Sequence, residues 1–231
     1  MTNTLDMDAM GNAVGWINLD AAFEHEEAPD AGFVAKIVRA ALQHTASTGK
    51  RWTVYRARLM PVANEHDPDP LHCGVMGAPP PDLALAGRAN PAGTSFFYAA
   101  LDEKTAIAEM RPWRDARVTV ARYRARETYT LIDLSEKSGE LPTSDPASWL
   151  CFIMGRPFHK DDGMSYRAIQ HVVAQIRETG VSGIQYRSAM RPHGINVVLF
   201  DGSKLQCVAR KLVQVVRVTA LSASLSGWET D

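Results

Sequence analysis

The sequence predicts an α+β fold, with mixed or antiparallel sheet and packed helices. Three observations carry this. Strand-like segments outnumber helical ones, they do not strictly alternate with them as a doubly wound sheet requires, and the chain of 231 residues, 45% apolar and 22% charged, has an ordinary globular composition. At that length a core needs no disulfide or metal staple.

The elements follow in order. Residues 1 to 30, with Gly11, Gly15, Pro29 and the cluster Glu24-His25-Glu26-Glu27, show no sustained period and read as an arm or loosely packed extension. From Asp30, a plausible N-cap, the apolar positions Phe33, Val34, Ile37, Val38, Ala41 and Leu42 follow helical spacing, and the helix is expected to run as far as Gly49. Trp52 to Leu59 alternates like a strand. A proline-rich loop then passes Pro61, Pro68, Pro70 and Pro79-Pro80-Pro81 and leads to Gly87.

Thr94 to Ala100 reads as a buried strand, and Asp102 caps a helix that starts near Thr105 and stops before Pro112. Strands follow at Arg117 to Arg124 and Tyr129 to Leu134. Ser144-Asp145-Pro146 opens a helix, because proline suits the first helical position. Ser165 to Thr179 is amphipathic through Ile169, Val172, Val173 and Ile176, and Gly180 ends it. The last strands are placed at Gly183 to Ser188, Asn196 to Phe200 and Val208 to Val218.

Charge is uneven. Residues 1 to 35 hold seven of the 26 acidic residues and none of the 25 basic ones, so the body carries an excess of about six positive charges. Such an excess draws in an anionic ligand or is solvated surface charge. No basic run with interleaved aromatics occurs, which argues against direct DNA binding. Cys73, Cys151 and Cys207 form no C-x-x-C pair and read as thiols of a reducing cytoplasm. No apolar run approaches the roughly 18 residues of a membrane span, and no signal-peptide pattern opens the chain. His66, His72 and Cys73 share one loop at a spacing that fits no common metal site, so no metal is expected.

No P-loop, G-x-S-x-G, H-E-x-x-H or G-x-G-x-x-G is present, which removes the usual ATPase, hydrolase, zincin and Rossmann readings. A different set is dense between Tyr55 and Asn196. It comprises Tyr55-Arg56, the loop Gly87-Arg88-Ala89-Asn90 with Gly93, Tyr98, then Thr105-Ala106-Ile107-Ala108-Glu109 with Arg111-Pro112, Tyr186-Arg187-Ser188 and Asn196. Taken one at a time these have plain roles: a surface Glu beside Arg111 or Lys104, a core Tyr, a strand-ending Ser, glycines of a tight turn. In this order they resemble the RES domain family, from about Trp52 to Val218. Where that family usually has Trp between the loop's Arg and Asn, this sequence has Ala89.

The resemblance implies a fold like the ADP-ribosyltransferases and an NAD-binding pocket. It divides the chain into residues 1–50, arm plus amphipathic helix, and 51–231, the NAD-binding catalytic unit. It places catalytic roles on Glu109, Arg56 and Ser188, and NAD contacts on Arg56, Arg88, Tyr98, Tyr55 and Ser188; Asn196 is taken as structural. It further implies a cytoplasmic toxin with a cognate antitoxin, consuming NAD by hydrolysis or, with inorganic phosphate, phosphorolysis. Transfer of ADP-ribose to a protein or nucleic acid is an alternative, and a non-catalytic binding module is another.

The chemistry is coherent with these residue types. Guanidinium forks match the two charges of a pyrophosphate, and Arg56 and Arg88 are the candidates. Breaking the nicotinamide–ribose bond develops oxocarbenium character, which a carboxylate such as Glu109 can stabilise, or it can hold the ribose hydroxyls. Tyr98 offers a ring face to nicotinamide. Ser188 can donate to a phosphate or ribose oxygen or position the attacking group.

Overall fold

A computed structural model describes residues 7–24, 29–60, 76–135, 145–156 and 166–218. The strands are β1 (Thr45–Ser47), β2 (Thr53–Leu59), β3 (Phe97–Ala100), β4 (Arg117–Ala125), β5 (Thr130–Asp133), β6 (Gly183–Arg187), β7 (Ile195–Leu199) and β8 (Leu205–Gln214). They form one sheet in the order β1-β5-β6-β7-β3-β2-β4-β8. The helices are α1 (Met7–Glu24), α2 (Ala31–Leu42), α3 (Glu103–Glu109), α4 (Pro146–Gly155) and α5 (Arg167–Glu178), and the fold is α+β as the sequence predicts.

Neighbouring strands run antiparallel except β5 and β6, which pair in parallel. A parallel pair needs a long crossover, and α4 and α5 lie between these two strands in the chain. Side chains alternate across the sheet. Val198, with Ile132 and Ile184, joins a helical core built by α1, α2, α4 and α5, while Val197 and Leu199 face the other side with Phe97 and Tyr123. β7 is thus buried on both faces. Towards β2 and β4, α3 rests on small residues: Ala106 packs among Ala57, Ala100, Val118 and Val120.

Local chemistry sets the helix ends. Asp30 caps α2 by accepting from the N–H groups of Gly32 (2.8 Å) and Phe33 (3.2 Å), and Asp145 caps α4 through Ala147, with Pro146 first in the helix. In α5 the predicted stripe Ile169, Val172, Val173 and Ile176 is buried, and Gly180 takes φ +86°, the left-handed conformation that ends a helix cheaply.

Besides β3, which starts at Phe97 and not at the expected Thr94, the structure departs from the sequence reading in three places. α2 stops at Leu42, seven residues before Gly49, because Thr45 turns its hydroxyl onto the Leu42 carbonyl (2.7 Å) and the exposed strand β1 pairs Thr45 to Ser47 with β5. That edge strand has no apolar alternation to betray it. β8 begins at Leu205 and ends at Gln214, set by its ladder with β4.

The third departure is the expected loose arm, of which residues 7–24 are the helix α1. It docks on α4 and α5 with Trp16, Leu19 and Ala22 buried. Gly15 makes this possible, since a Cβ there would lie 2.3 Å from the Phe33 ring, and Trp16 meets that ring edge-on at 6.1 Å. Buried Asn12 accepts from Lys36 Nζ (2.9 Å). α1 and α2 share a core with β5 to β7, so a boundary at residue 50 does not separate two cores. The cluster His25-Glu26-Glu27, the loop carrying Pro61, His66, Pro68, Pro70, His72 and Cys73, and Ser144 and Ser165 lie outside the described residues.

Because α1 is core and not tail, Trp16→Ala should cost about 3–5 kcal/mol of stability, the usual loss for a buried Trp. Denaturant unfolding reads this; an unchanged midpoint would put α1 back outside the core.

Candidate functional site

The site forms where the sheet opens. β2 and β3 are paired only at Tyr55↔Ala100, although β2 continues to Leu59 along β4. The backbone of β3 facing the opening therefore lacks a strand partner. Arg56 supplies one, donating from Nη1 to the Tyr98 carbonyl (2.6 Å) while its guanidinium lies 5.1 Å from the Phe97 ring centre. Its Nε is buried without a hydrogen bond. Burial, then the neighbouring positive charge of Arg58, pulls the Arg56 guanidinium down to about 10.

A cavity of about 650 Å³ occupies the opening, within the range of roughly 300–1,000 Å³ typical of small-molecule sites. Tyr55, Arg56 and Arg58 come to its wall from β2, Tyr98 from β3, Glu109 and Met110 from the end of α3, Tyr186 from β6 and Asn196 from β7. Arg58 donates to the Gly77 carbonyl (3.1 Å). Among the described residues neither Arg56 nor Arg58 has a carboxylate partner. Two guanidinium groups at i and i+2, without a carboxylate partner among the described residues, have the charge and geometry to bind an anion with more than one charged oxygen.

In the same cavity wall the carboxylate of Glu109 is fixed. Its Oε1 accepts from the Ser188 hydroxyl (2.6 Å) and from Asn196 Nδ2 (2.7 Å). Ser188 Oγ in turn accepts from the N–H groups of Met190 (3.1 Å) and Arg191 (3.2 Å), which orients the hydroxyl proton towards Glu109. The other end of α3 is clamped as well. Asp102 caps Thr105 N (3.0 Å), and Arg191 Nη1 reaches both Asp102 oxygens (2.8 and 2.9 Å) and the Thr105 hydroxyl (2.9 Å). Gly194 lets this loop sit close, since a Cβ there would lie 2.7 Å from Thr105 Oγ1. One loop, Ser188 to Gly194, thus straps both ends of the helix that presents Glu109.

The glycine loop is the roof. Buried Asn90 donates to the carbonyls of Leu85 (3.0 Å) and Thr94 (2.8 Å) and accepts from the Tyr98 hydroxyl (2.6 Å), which itself accepts from Ala89 N (3.0 Å). Gln170 Nε2 on α5 holds the carbonyls of Gly87 (2.7 Å) and Asn90 (2.9 Å). Only glycine fits at 87, where a Cβ would lie 2.7 Å from the Tyr98 hydroxyl, and Gly93 has φ +82°. Burial raises the Tyr98 phenol well above its usual range and pushes Tyr186 up to about 12.

Tyr55, Arg56, Tyr98 and Glu109 therefore come together as the sequence reading expects, with Ser188 behind Glu109. Arg88 does not join the cavity wall. Its guanidinium is committed to the last carbonyls of α4, donating to Met154 O and Arg156 O, and lies 5.9 Å from the Tyr186 ring centre. It finishes a helix end whose carbonyls would otherwise lack donors. Asn196, taken as structural, is Glu109's second donor and part of the wall; Met110, which reads as a core residue, also lines the wall, and no motif marks Arg58 or Gln170. Arg58 had a signal: on an alternating strand the residue two beyond Arg56 faces the same way. Ala89 is buried in the helical core, so that position does not line the cavity. Among the described residues no group of three metal-ligating side chains occurs.

Comparison with known proteins gives one family: a model of the RES domain matches residues 53–221. No curated protein matches. Among solved structures, the M. tuberculosis MbcT-MbcA toxin-antitoxin complex contains a chain 14% identical, with TM-score 0.47, the match covering 78% of this chain and 92% of that one.

The buried phenols define an alkaline limit. Tyr98, Tyr129 and Tyr186 all hold their protons more tightly folded than unfolded, mainly through burial. Their contribution to stability is complete below pH about 10 and is lost as pH rises towards 12, because the unfolded chain ionises first. Phenolate absorbance should show these three of the six tyrosines titrating only together with loss of the circular dichroism signal; titration of all six in the folded protein would contradict the burial.

Proposed function

The chain belongs to the RES domain family, and from that premise we propose that it consumes NAD, as the toxin of a cytoplasmic toxin–antitoxin pair. The observation that carries the reading is one cavity lined both by a fixed carboxylate, Glu109, and by two guanidinium groups, Arg56 and Arg58, that have no carboxylate partner among the described residues. A dinucleotide needs both: cations for the pyrophosphate and a carboxylate at the ribose. In this reading Arg58 takes the place first assigned to Arg88, and Arg88 shapes the site through α4 and Tyr186.

With the pyrophosphate held by Arg56 and Arg58, the nicotinamide ribose reaches Glu109 and the pyridinium ring lies against the aromatic wall of Tyr98 and Tyr186. The bond from the anomeric carbon to the ring nitrogen breaks, its electron pair leaves with neutral nicotinamide, and the sugar acquires oxocarbenium charge. Glu109, held on Oε1 by Ser188 and Asn196, keeps negative charge beside that carbon without reorganising. Water then attacks and releases a proton, giving ADP-ribose; inorganic phosphate in its place gives the 1''-phosphate. A protein or nucleic-acid acceptor would use the same first step. A cognate antitoxin is the partner the family implies. No described helix is long and apolar enough to cross a membrane.

Pure protein incubated with NAD, with and without phosphate, should release nicotinamide and yield one of those two products by mass. Glu109→Gln should lower turnover by roughly 10²–10³ with unchanged melting, since one transition-state charge contact is lost. Arg58→Ala should raise KM at least tenfold, in keeping with about 1.5–3 kcal/mol per charged hydrogen bond. Arg88→Ala should instead lower the melting temperature and leave KM within about twofold of wild type, because its bonds are to helix carbonyls. No nicotinamide release at all would leave a non-catalytic binding module.

A further inference from the structure

A further cavity, of about 480 Å³, shares no lining residue with the one that holds Glu109. Phe97 of β3, Tyr123 of β4 and Leu205 of β8 supply its apolar wall, and the turn from Asp201 to Ser203 supplies a polar one. The Phe97 and Tyr123 rings meet edge-on with centres 4.9 Å apart. Gly202 brings the turn against them, since a Cβ there would lie 3.0 Å from Phe97 Cβ, and Leu205 N closes the turn on the Gly202 carbonyl (3.0 Å). A polar edge and an aromatic face therefore border one space.

Asp201 is the one charged side chain among the described residues of this lining. Its Oδ1 accepts from Ser203 N (2.8 Å) and its Oδ2 from the Ser203 hydroxyl (2.7 Å). Those two bonds hold the carboxyl below its usual range, while the ammonium of neighbouring Lys204 is engaged by Glu127 (2.8 Å). An ionised carboxylate only accepts, through about two lone pairs on each oxygen. With one used on each, the two oxygens keep one apiece, side by side, and form a fork for two parallel N–H donors. Charge narrows the choice further. The carboxylate repels an anion, whereas Arg56, 5.1 Å from the Phe97 ring centre, and Arg58, bound to the carbonyl of lining residue Gly77, oppose a cation.

We propose that this cavity is a second ligand site, and that it takes a guanine base. Guanine is flat and uncharged, and carries a ring N–H and an amino group next to one another on one edge. Those two donors match the two Asp201 oxygens, and the ring lies against Phe97 and Tyr123, as bases do on aromatic side chains. Adenine and cytosine set a donor beside an acceptor on that edge, and the acceptor faces the carboxylate unfavourably. The adenine of NAD therefore does not fit, and the assignment stands apart from the NAD reading of the first cavity.

Equilibrium dialysis of the full chain against guanosine, inosine and adenosine tests this. Inosine keeps the ring N–H and lacks the amino group. Guanosine should bind, inosine at least tenfold more weakly and adenosine more weakly still, because a fork built for two donors is left unsatisfied by one. Asp201→Asn, whose remaining oxygen can still accept from Ser203 N, should lose at least tenfold for guanosine with unchanged melting. The comparison of the three nucleosides on the wild type decides the matter even where that variant does not fold. No guanosine binding, equal affinity for inosine or adenosine, or full affinity in a folded Asp201→Asn protein would overturn the site. Displacement of guanosine by NAD would place it in the first cavity and overturn the site as well.

Discussion

The parting of β2 from β3 after one residue pair is the constraint from which the site follows. A closed ladder there would satisfy the backbone and leave no room. With the ladder open, the Tyr98 carbonyl needs a donor, and a buried backbone acceptor without one is costly. Arg56 answers that need and is thereby pinned at the mouth of the gap. The same opening lets residues from opposite faces of the sheet share one cavity. Tyr55 belongs with Ala57 to the face under α3, while Arg56 and Arg58 point the other way, and all of them reach the gap.

What keeps the gap from collapsing is a set of braces that use polar side chains as short ties. The Ser188 to Gly194 loop holds α3 at Asp102 and at Glu109, so a helix of only seven residues, too short to be stable alone, presents its last side chain in one place. Asn90 and Gln170 hold the glycine loop, and Arg88 closes the end of α4 beneath it. Each brace joins segments that are 60 or more residues apart, or caps a turn. The cavity is therefore a property of the whole sheet with its helices, and α1 and α2, far from the site, share a core with β5 to β7.

Much of this was legible in the sequence where local rules operate. The caps at Asp30, Asp102 and Asp145, the stripe of α5 and the strands from β2 to β7 follow from side-chain chemistry within a few residues. Tertiary effects were hidden. α1 has no apolar period because its contacts run through Gly15 and the Phe33 ring, and β1 is an exposed polar edge held only by β5. The site shows the same division. Motif order located Arg56, Tyr98, Glu109 and Ser188, but a motif names residue types without saying where a guanidinium points. Arg88 and Arg58 could be told apart only once α4 was seen to end beside the one and the open ladder beside the other.

The proposed chemistry requires NAD in the gap with its reacting ribose at position 109. A crystal structure of the Glu109→Gln protein soaked with NAD should show the pyrophosphate between Arg56 and Arg58 and the nicotinamide ribose in hydrogen-bond reach of the side chain at position 109. A dinucleotide bound outside the gap between β2 and β3, or with its pyrophosphate on Arg88, would contradict it.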